Sequence, residues 1–325
     1  MVLLGAGAYA VDLGYTWQTR RHLITTTDAA ALAAAQEYVE SGLSTAGGRQ
    51  ADACNGSNGA QEYVDKHIPD ADMTQCQVTL EGPFDPDTLP PGFITVNATE
   101  NINYFFGPAI GVNGTRVSAF TSVSWKNPSS VYGGLRPFGL CLATLENFDP
   151  FPSIGDGIDY TIIFDKDNDE DCGVDAAGNW SVLDFDGGSN PQGEIDCWTQ
   201  YGYGDEQCPF GGPVGVGDWV FGNTGAFNNP LNSELAYLRN NVDCFGLPVF
   251  DEIRNPVGEL AEFHIERFVS VKLIDYKVNG DPANRFLTIQ FVDCVVQGDG
   301  DDSSNPLSPK IIGICAVNGT DTSGC

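Results

Sequence analysis

Basic residues are scarce in this chain: 15 Lys and Arg stand against 44 Asp and Glu, a formal charge of −29. A surface so negative repels phosphate backbones, so nucleic acid is a poor partner. It favours solubility and draws divalent cations. Histidine is rarer still, at His22, His67 and His264 alone. No two cysteines have CxxC spacing, so zinc, haem and thioredoxin-like chemistry lack their ligand patterns. GxxxxGK[ST], GxSxG and HExxH are all missing, which removes phosphate loops and the common nucleophile and metalloprotease signatures. Carboxylates are plentiful, yet nothing singles out a glycosidase-type pair, and each reads first as turn chemistry. The expectation is a protein that is not an enzyme, with a secreted hydrolase the weakest alternative.

A long hydrophobic run is also lacking. The apolar stretch Met1–Val11 ends at Asp12, whereas a bilayer crossing needs about 20 apolar residues. It carries neither the basic flank nor the A-x-A site of an intact signal peptide. The helical pattern continues through Leu13, Tyr15, Trp17, Leu23 and Ile24 into the Ala-rich run Asp28–Gly42, with no proline before Pro69. Residues 1–42 therefore read as one helix of about 60 Å at 1.5 Å per residue, with a possible break at Thr25–Thr27 and a stop at Gly42. Val2, Leu3, Leu4, Ala8, Val11, Asp12 and Leu13 are the candidate assembly residues. Small residues there permit close helix approach, and Asp12 would need a partner, either a neighbouring chain's amine or Arg20 or Arg21.

What is present in quantity is cysteine. Ten of them, at Cys54, Cys76, Cys141, Cys172, Cys197, Cys208, Cys244, Cys294, Cys315 and Cys325, fit a disulfide framework made in an oxidising compartment. Cys54–Cys76 and Cys315–Cys325 are the favoured local pairs. Residues 43–325 read as a mostly β head. Residues 43–58 form a loop and Ala60–His67 a short helix. Strands are expected at Gln75–Leu80, Phe93–Ala98, Thr115–Trp125, Tyr160–Phe164, Trp180–Phe185, Phe263–Tyr276, Phe286–Val296 and Ile311–Val317, with short helices at Glu194–Gln200 and Leu231–Asn241. The fold class is α+β. Five N-x-S/T sequons, at Asn55, Asn97, Asn113, Asn179 and Asn318, would be surface glycosylation sites in a host that glycosylates. Asp165, Asp167, Asp169 and Asp171 are a candidate Ca²⁺ cluster, since alternating carboxylates offer hard oxygens to one ion. The EF-hand template is not met there: Glu170 stands at its glycine position and Ala176 at its closing glutamate.

The segment Ala10-Val-Asp12-Leu-Gly14, followed by Arg20-Arg21 and by Asp28-Ala-Ala-Ala-Leu-Ala-Ala-Ala35, resembles the start of TadG/TadE-like proteins of tight-adherence (Flp) pilus systems. Cys172–Gly188, Leu247–Ile253 and the stretch from His264 resemble that group more loosely. The resemblance implies a head held outside the cytoplasmic membrane, at a prokaryotic cell surface. The expected role is a structural subunit of a surface filament or a minor pilus component, self-associating or joining other pilus components through the N-terminal helix. The alternative is a membrane-anchored assembly factor or adhesin, although no DxSxS adhesion motif is present.

Overall fold

The computed structural model describes residues 2–85, 89–164, 180–187, 192–222, 230–255, 261–281, 284–301 and 305–317. By internal contacts the chain forms two compact units. One comprises Met1–Pro86, Pro90–Trp125 and Ile312–Cys325; the other comprises Asp87–Leu89 and Lys126–Ile311.

The first unit begins with a single unbroken helix, α1 (Val2–Glu40). Its buried positions recur at helical spacing: Asp12, Thr19, Leu23, Thr26, Thr27, Ala30, Ala31, Ala34, Ala35, Tyr38 and Val39. That is one stripe, as a helix laid on a sheet requires. The threonine-rich stretch does not break it, because the hydroxyls of Thr16, Thr25 and Thr27 donate to the carbonyls of Asp12, Arg21 and Leu23, one turn back. Beyond Glu40 the chain turns at Gly42, whose φ of 61° is the left-handed conformation that ends helices.

The expected loop at 43–58 is largely helical: α2 spans Ala46–Asn55. Two glycines, Gly47 and Gly48, argue against a helix on propensity alone. Tertiary contacts override them. Thr45 caps the N-terminus by accepting from Gly48 N, and the fully buried Arg49 reaches back to the end of α1. Arg49 Nε donates to Leu43 O (2.7 Å) and its Nη1 to Tyr38 O (3.2 Å) and Val39 O (2.9 Å). These are carbonyls that a helix C-terminus leaves without partners, and a cation is favourable there. A second helix, α3 (Ala60–His67), lies where the sequence predicts one.

Three antiparallel strands complete the unit's framework: β1 (Ala71–Leu80), β2 (Gly92–Asn103) and the first half of β3 (Gly114–Gly133). Register runs without a break from Gly92↔Trp125 to Asn103↔Gly114. Alternate residues of β2, Ile94, Val96 and Ala98, are buried, and α1 packs on this strand. Tyr38 stacks on the buried Trp125 at 4.8 Å. Asp28 accepts a short hydrogen bond from the buried Thr121 hydroxyl. The Ala run is small because the helix must sit close to the sheet. Cys54 and Cys76, the local pair expected from their spacing, join α2 to β1.

In the second unit β4 (Phe138–Cys141), β5 (Tyr160–Ile163), β6 (Trp180–Asp184), β8 (Trp219–Gly222), β9 (Phe245–Arg254), β10 (Glu262–Lys277) and β11 (Phe286–Phe291) form one sheet. Its order is β5-β11-β10-β8-β6-β4-β9, and β9 pairs back onto β10. Five strands thus close into a ring, with β11 and β5 continuing outward from β10. The β4–β9 pairing is parallel and the others are antiparallel. The continuation of β3 pairs there with β7 (Val214–Gly215) and β12 (Gln297–Asp301). Helices α4 (Leu142–Glu146), α5 (Gln192–Gln200) and α6 (Pro230–Asn241) complete it. Cys197–Cys208 and Cys244–Cys294 are bonded, and no described cysteine is free. The final strand, β13, is Ile311–Val317.

Candidate functional site around Asp12

The first half of α1 and the turn joining β2 to β3 form one constellation within the first unit. The turn is tightly specified. Tyr104 N donates to Asn113 O (2.9 Å) and Val112 N to Gly107 O (3.0 Å), around a 3₁₀ turn at Gly107–Ile110. Gly111 adopts φ 83°. A Cβ on Gly107 would fall 2.2 Å from Val112 O, so only glycine fits there.

This geometry leaves three successive backbone N–H groups pointing at α1, and Asp12 fills the cradle. Its Oδ1 accepts from Phe105 N (2.8 Å) and Phe106 N (3.3 Å), and its Oδ2 from Phe106 N (3.1 Å) and Gly107 N (2.8 Å). Asp12 is 5% exposed. Consecutive amides concave toward an anion form a nest, and bonds to a carboxylate are about twice as strong as neutral ones. The expected partner of Asp12 was another chain's amine or an arginine; the structure corrects this, since its partners are the chain's own amides. The aspartate of the Val-Asp-Leu-Gly segment fastens the helix to the turn.

Around this polar lock lies a set of exposed apolar side chains. Tyr9, Val11, Leu13, Tyr15 and Trp17 are exposed on α1, Trp17 at 63%. Phe105 (67%), Phe106, Ile110 (75%) and Val112 are exposed on the turn. Tyr15 and Phe105 touch with ring centroids 5.4 Å apart. A cleft of 220 Å³ runs between helix and turn, lined by Tyr9, Leu13, Phe106, Ile110 and Val112 among others. Of the proposed assembly residues, Val11 and Leu13 therefore face outward and Asp12 inward. Val2, Leu3, Leu4 and Ala8 belong to α1, but their side chains lie outside the described residues. Among the described residues, no helix is long and apolar enough to cross a membrane.

Reasoning from the sequence overlooked the turn, although one signal was available. From Tyr104 to Gly114 there is no charged residue, in a chain of which 18% is charged.

The remaining candidates lie elsewhere. Asp165, Asp167, Asp169, Asp171 and Cys172 lie outside the described residues, as do Asn179, Asn318 and Cys325. Cys141 and Cys315 are oxidised. Asn55 and Asn113 are exposed. Asn97 is half-buried in β2 between β1 and β3, and its side-chain oxygen is buried without a partner. Among the described residues of the second unit the most perturbed acid is Asp184. Burial, then the hydrogen bond and charge of Asp186, push its carboxyl up to about 7, partly offset by bonds from the Gly187 and Asp186 amides.

Residues 1–37 match a family model described as Tad, putative Flp pilus-assembly TadE/G-like. No curated protein and no solved structure matches the chain. The matched span contains Asp12, Arg20, Arg21 and Asp28, the residues that carry the resemblance, and it supports a pilus-related role at the cell envelope.

Proposed function

We propose that the chain is a structural component of a Tad-like pilus, a filament subunit or minor pilin, that joins other subunits through the outer face of its N-terminal helix. One observation carries the reading. The C-terminal half of α1 is core of its own unit, while the first half exposes Tyr9, Val11, Leu13, Tyr15 and Trp17 to the outside. A helix anchored at one end and apolar at the other is built to present, and the TadE/G-like match of residues 1–37 supports pilus components as its audience. Full oxidation of the described cysteines suits a head that works outside the cytoplasm. The alternative, a membrane-anchored assembly factor, uses the same face differently.

The test is Leu13→Asp in the producing cell, since Leu13 is exposed and its replacement leaves the Asp12 lock in place. The expected result is loss of the protein from sheared pilus material, with disulfides and head melting unchanged. Recovery of the variant in that material at the wild-type level refutes the reading, and retention in the carbonate-resistant membrane fraction in place of pili favours the alternative.

A further inference from the structure

The turn between β2 and β3 has no role in the reading above. At about 100° of rotation per residue, Tyr9, Leu13 and Trp17 point to one flank of α1, and Val11 and Tyr15 to the other. All five are exposed. A single partner helix covers one stripe of a helix surface, so this spread calls for a surrounding that is apolar on several sides at once. The turn adds Phe105, Phe106, Ile110 and Val112 beside the helix, held at the level of residue 12 by four hydrogen bonds to Asp12. Aromatic rings dominate the set, and rings with polar edges favour the boundary between lipid chains and headgroups. The carboxylate in their midst has its charge satisfied by amides, as an acid near lipid requires.

Charge indicates what covers this face. Residues 1–27 contain Arg20 and Arg21 against Asp12 alone, within a chain at −29. Both arginines are exposed. Eight residues beyond Asp12 they stand about 12 Å further along the helix, where phosphate headgroups would lie if the apolar set entered a bilayer. The strongly negative remainder would be repelled by such a surface; this basic pair would be attracted.

From these observations we infer that the β2–β3 turn, Phe105–Val112, is a second lipid-seating element, which with residues 9–17 of α1 holds the first unit on the interface of an anionic bilayer. The inference rests on the alternative reading above, in which this face of α1 is attached to the membrane, and adds the turn to it. The helix alone would be one point of attachment free to pivot; helix and turn, locked through Asp12, fix the orientation of the unit on the lipid.

The experiment is flotation of the full chain with vesicles of phosphatidylethanolamine and phosphatidylglycerol, and with vesicles of phosphatidylcholine alone. Wild type should float with the anionic vesicles. Phe105→Ser combined with Ile110→Ser should weaken binding about tenfold or more, as withdrawal of large apolar side chains from lipid implies. Arg20→Gln with Arg21→Gln should remove the preference for anionic vesicles. As a reading that needs no loss of binding, Phe106→Trp should gain fluorescence that brominated lipid quenches beyond the wild-type background. A double serine variant that floats like wild type, with the new tryptophan unquenched, overturns the inference; the Leu13→Asp result in cells then stands or falls separately. A wild type that ignores vesicles but self-associates through Phe105 and Ile110 also overturns it, and assigns the face to a second copy.

Discussion

Asp12 is the residue on which the N-terminal constellation turns. Replacing it by Asn keeps the shape but offers one acceptor oxygen in place of two and removes the charge that strengthens every bond to Phe105, Phe106 and Gly107. Asp12→Ala removes all acceptors and leaves backbone donors buried, at about 1–3 kcal/mol each when unsatisfied. Urea denaturation should therefore rank wild type above Asp12→Asn and Asp12→Asn above Asp12→Ala, the last by about 3 kcal/mol or more. Equal stability of Asp12→Ala and wild type would mean that the lock is dispensable. Asp184 gives a residue-scale effect with a pH signature. Its carboxyl is raised to about 7 by burial and by Asp186, so from pH 4 to 7 the unfolded chain ionises this group while the folded chain keeps it protonated. The unfolded state then binds fewer protons, and the contribution of Asp184 to stability falls as pH rises through that window. Asp184→Asn, whose side-chain oxygen can still accept from Gly187 N, should gain on wild type in melting temperature between pH 4 and 7. A difference that stays flat with pH would refute the assignment.

Among the elements, α1 shows how tertiary contacts finish what a pattern starts. Its last carbonyls are held by Arg49 from the following helix. Arg49→Ala should cost about 2–4 kcal/mol by chemical denaturation, since the acceptors left behind are buried; a loss within 0.5 kcal/mol, usual for a surface change, would show water replacing the guanidinium. The helix, its length and its stop at Gly42 were legible because Ala-rich periodicity and a terminal glycine act locally. So were β2, α3 and β13, whose patterns are contained within each segment. The Gly47–Gly48 pair hid α2, because the Thr45 cap and the burial of Arg49 that outweigh it are not local. Pro128 and Pro248 hid the continuation of β3 and the whole of β9. Pro128 sits where the β3–β12 register shifts and Pro248 close to an irregularity opposite it in β10, the places where a sheet tolerates proline. The site was half legible. The unusual Asp12 within an apolar run marked it, but its partners come from a turn some ninety residues away that no periodicity connects to it.

At the scale of the whole molecule the governing fact is the charge of −29 spread over a chain with 15 cationic residues. Fifteen cationic side chains cannot neutralise 44 acids; contacts among the described residues include Asp243 with Lys272, Glu262 with Arg254, Asp275 with Arg239, Asp251 with His264 and Glu266 with Arg267. Exposed pairs of this kind contribute little, a median of about 0–1 kcal/mol each, so they do not offset the repulsion among the remaining acids. That repulsion is long-ranged at low salt and short-ranged once the screening length falls to about 8–10 Å near physiological ionic strength. The folded state concentrates the charges and the unfolded chain disperses them, so salt should stabilise the fold. Raising NaCl from low to physiological ionic strength should raise the melting temperature by several degrees, since about 1 kcal/mol moves a domain of this size by roughly 2–4 °C. KCl should act equally, as screening is indifferent to the monovalent cation. Calcium at the same ionic strength separates screening from binding. If Asp165, Asp167, Asp169 and Asp171 hold a Ca²⁺, the melting temperature should rise beyond the NaCl value and keep rising with calcium concentration, by the mass action of a ligand on the folded state. Asp167→Asn should then remove the excess and leave the NaCl response intact. Calcium and sodium acting alike at matched ionic strength would leave the cluster a solvated acidic loop, and a melting temperature indifferent to both salts would show that the charge is neutralised by some other means.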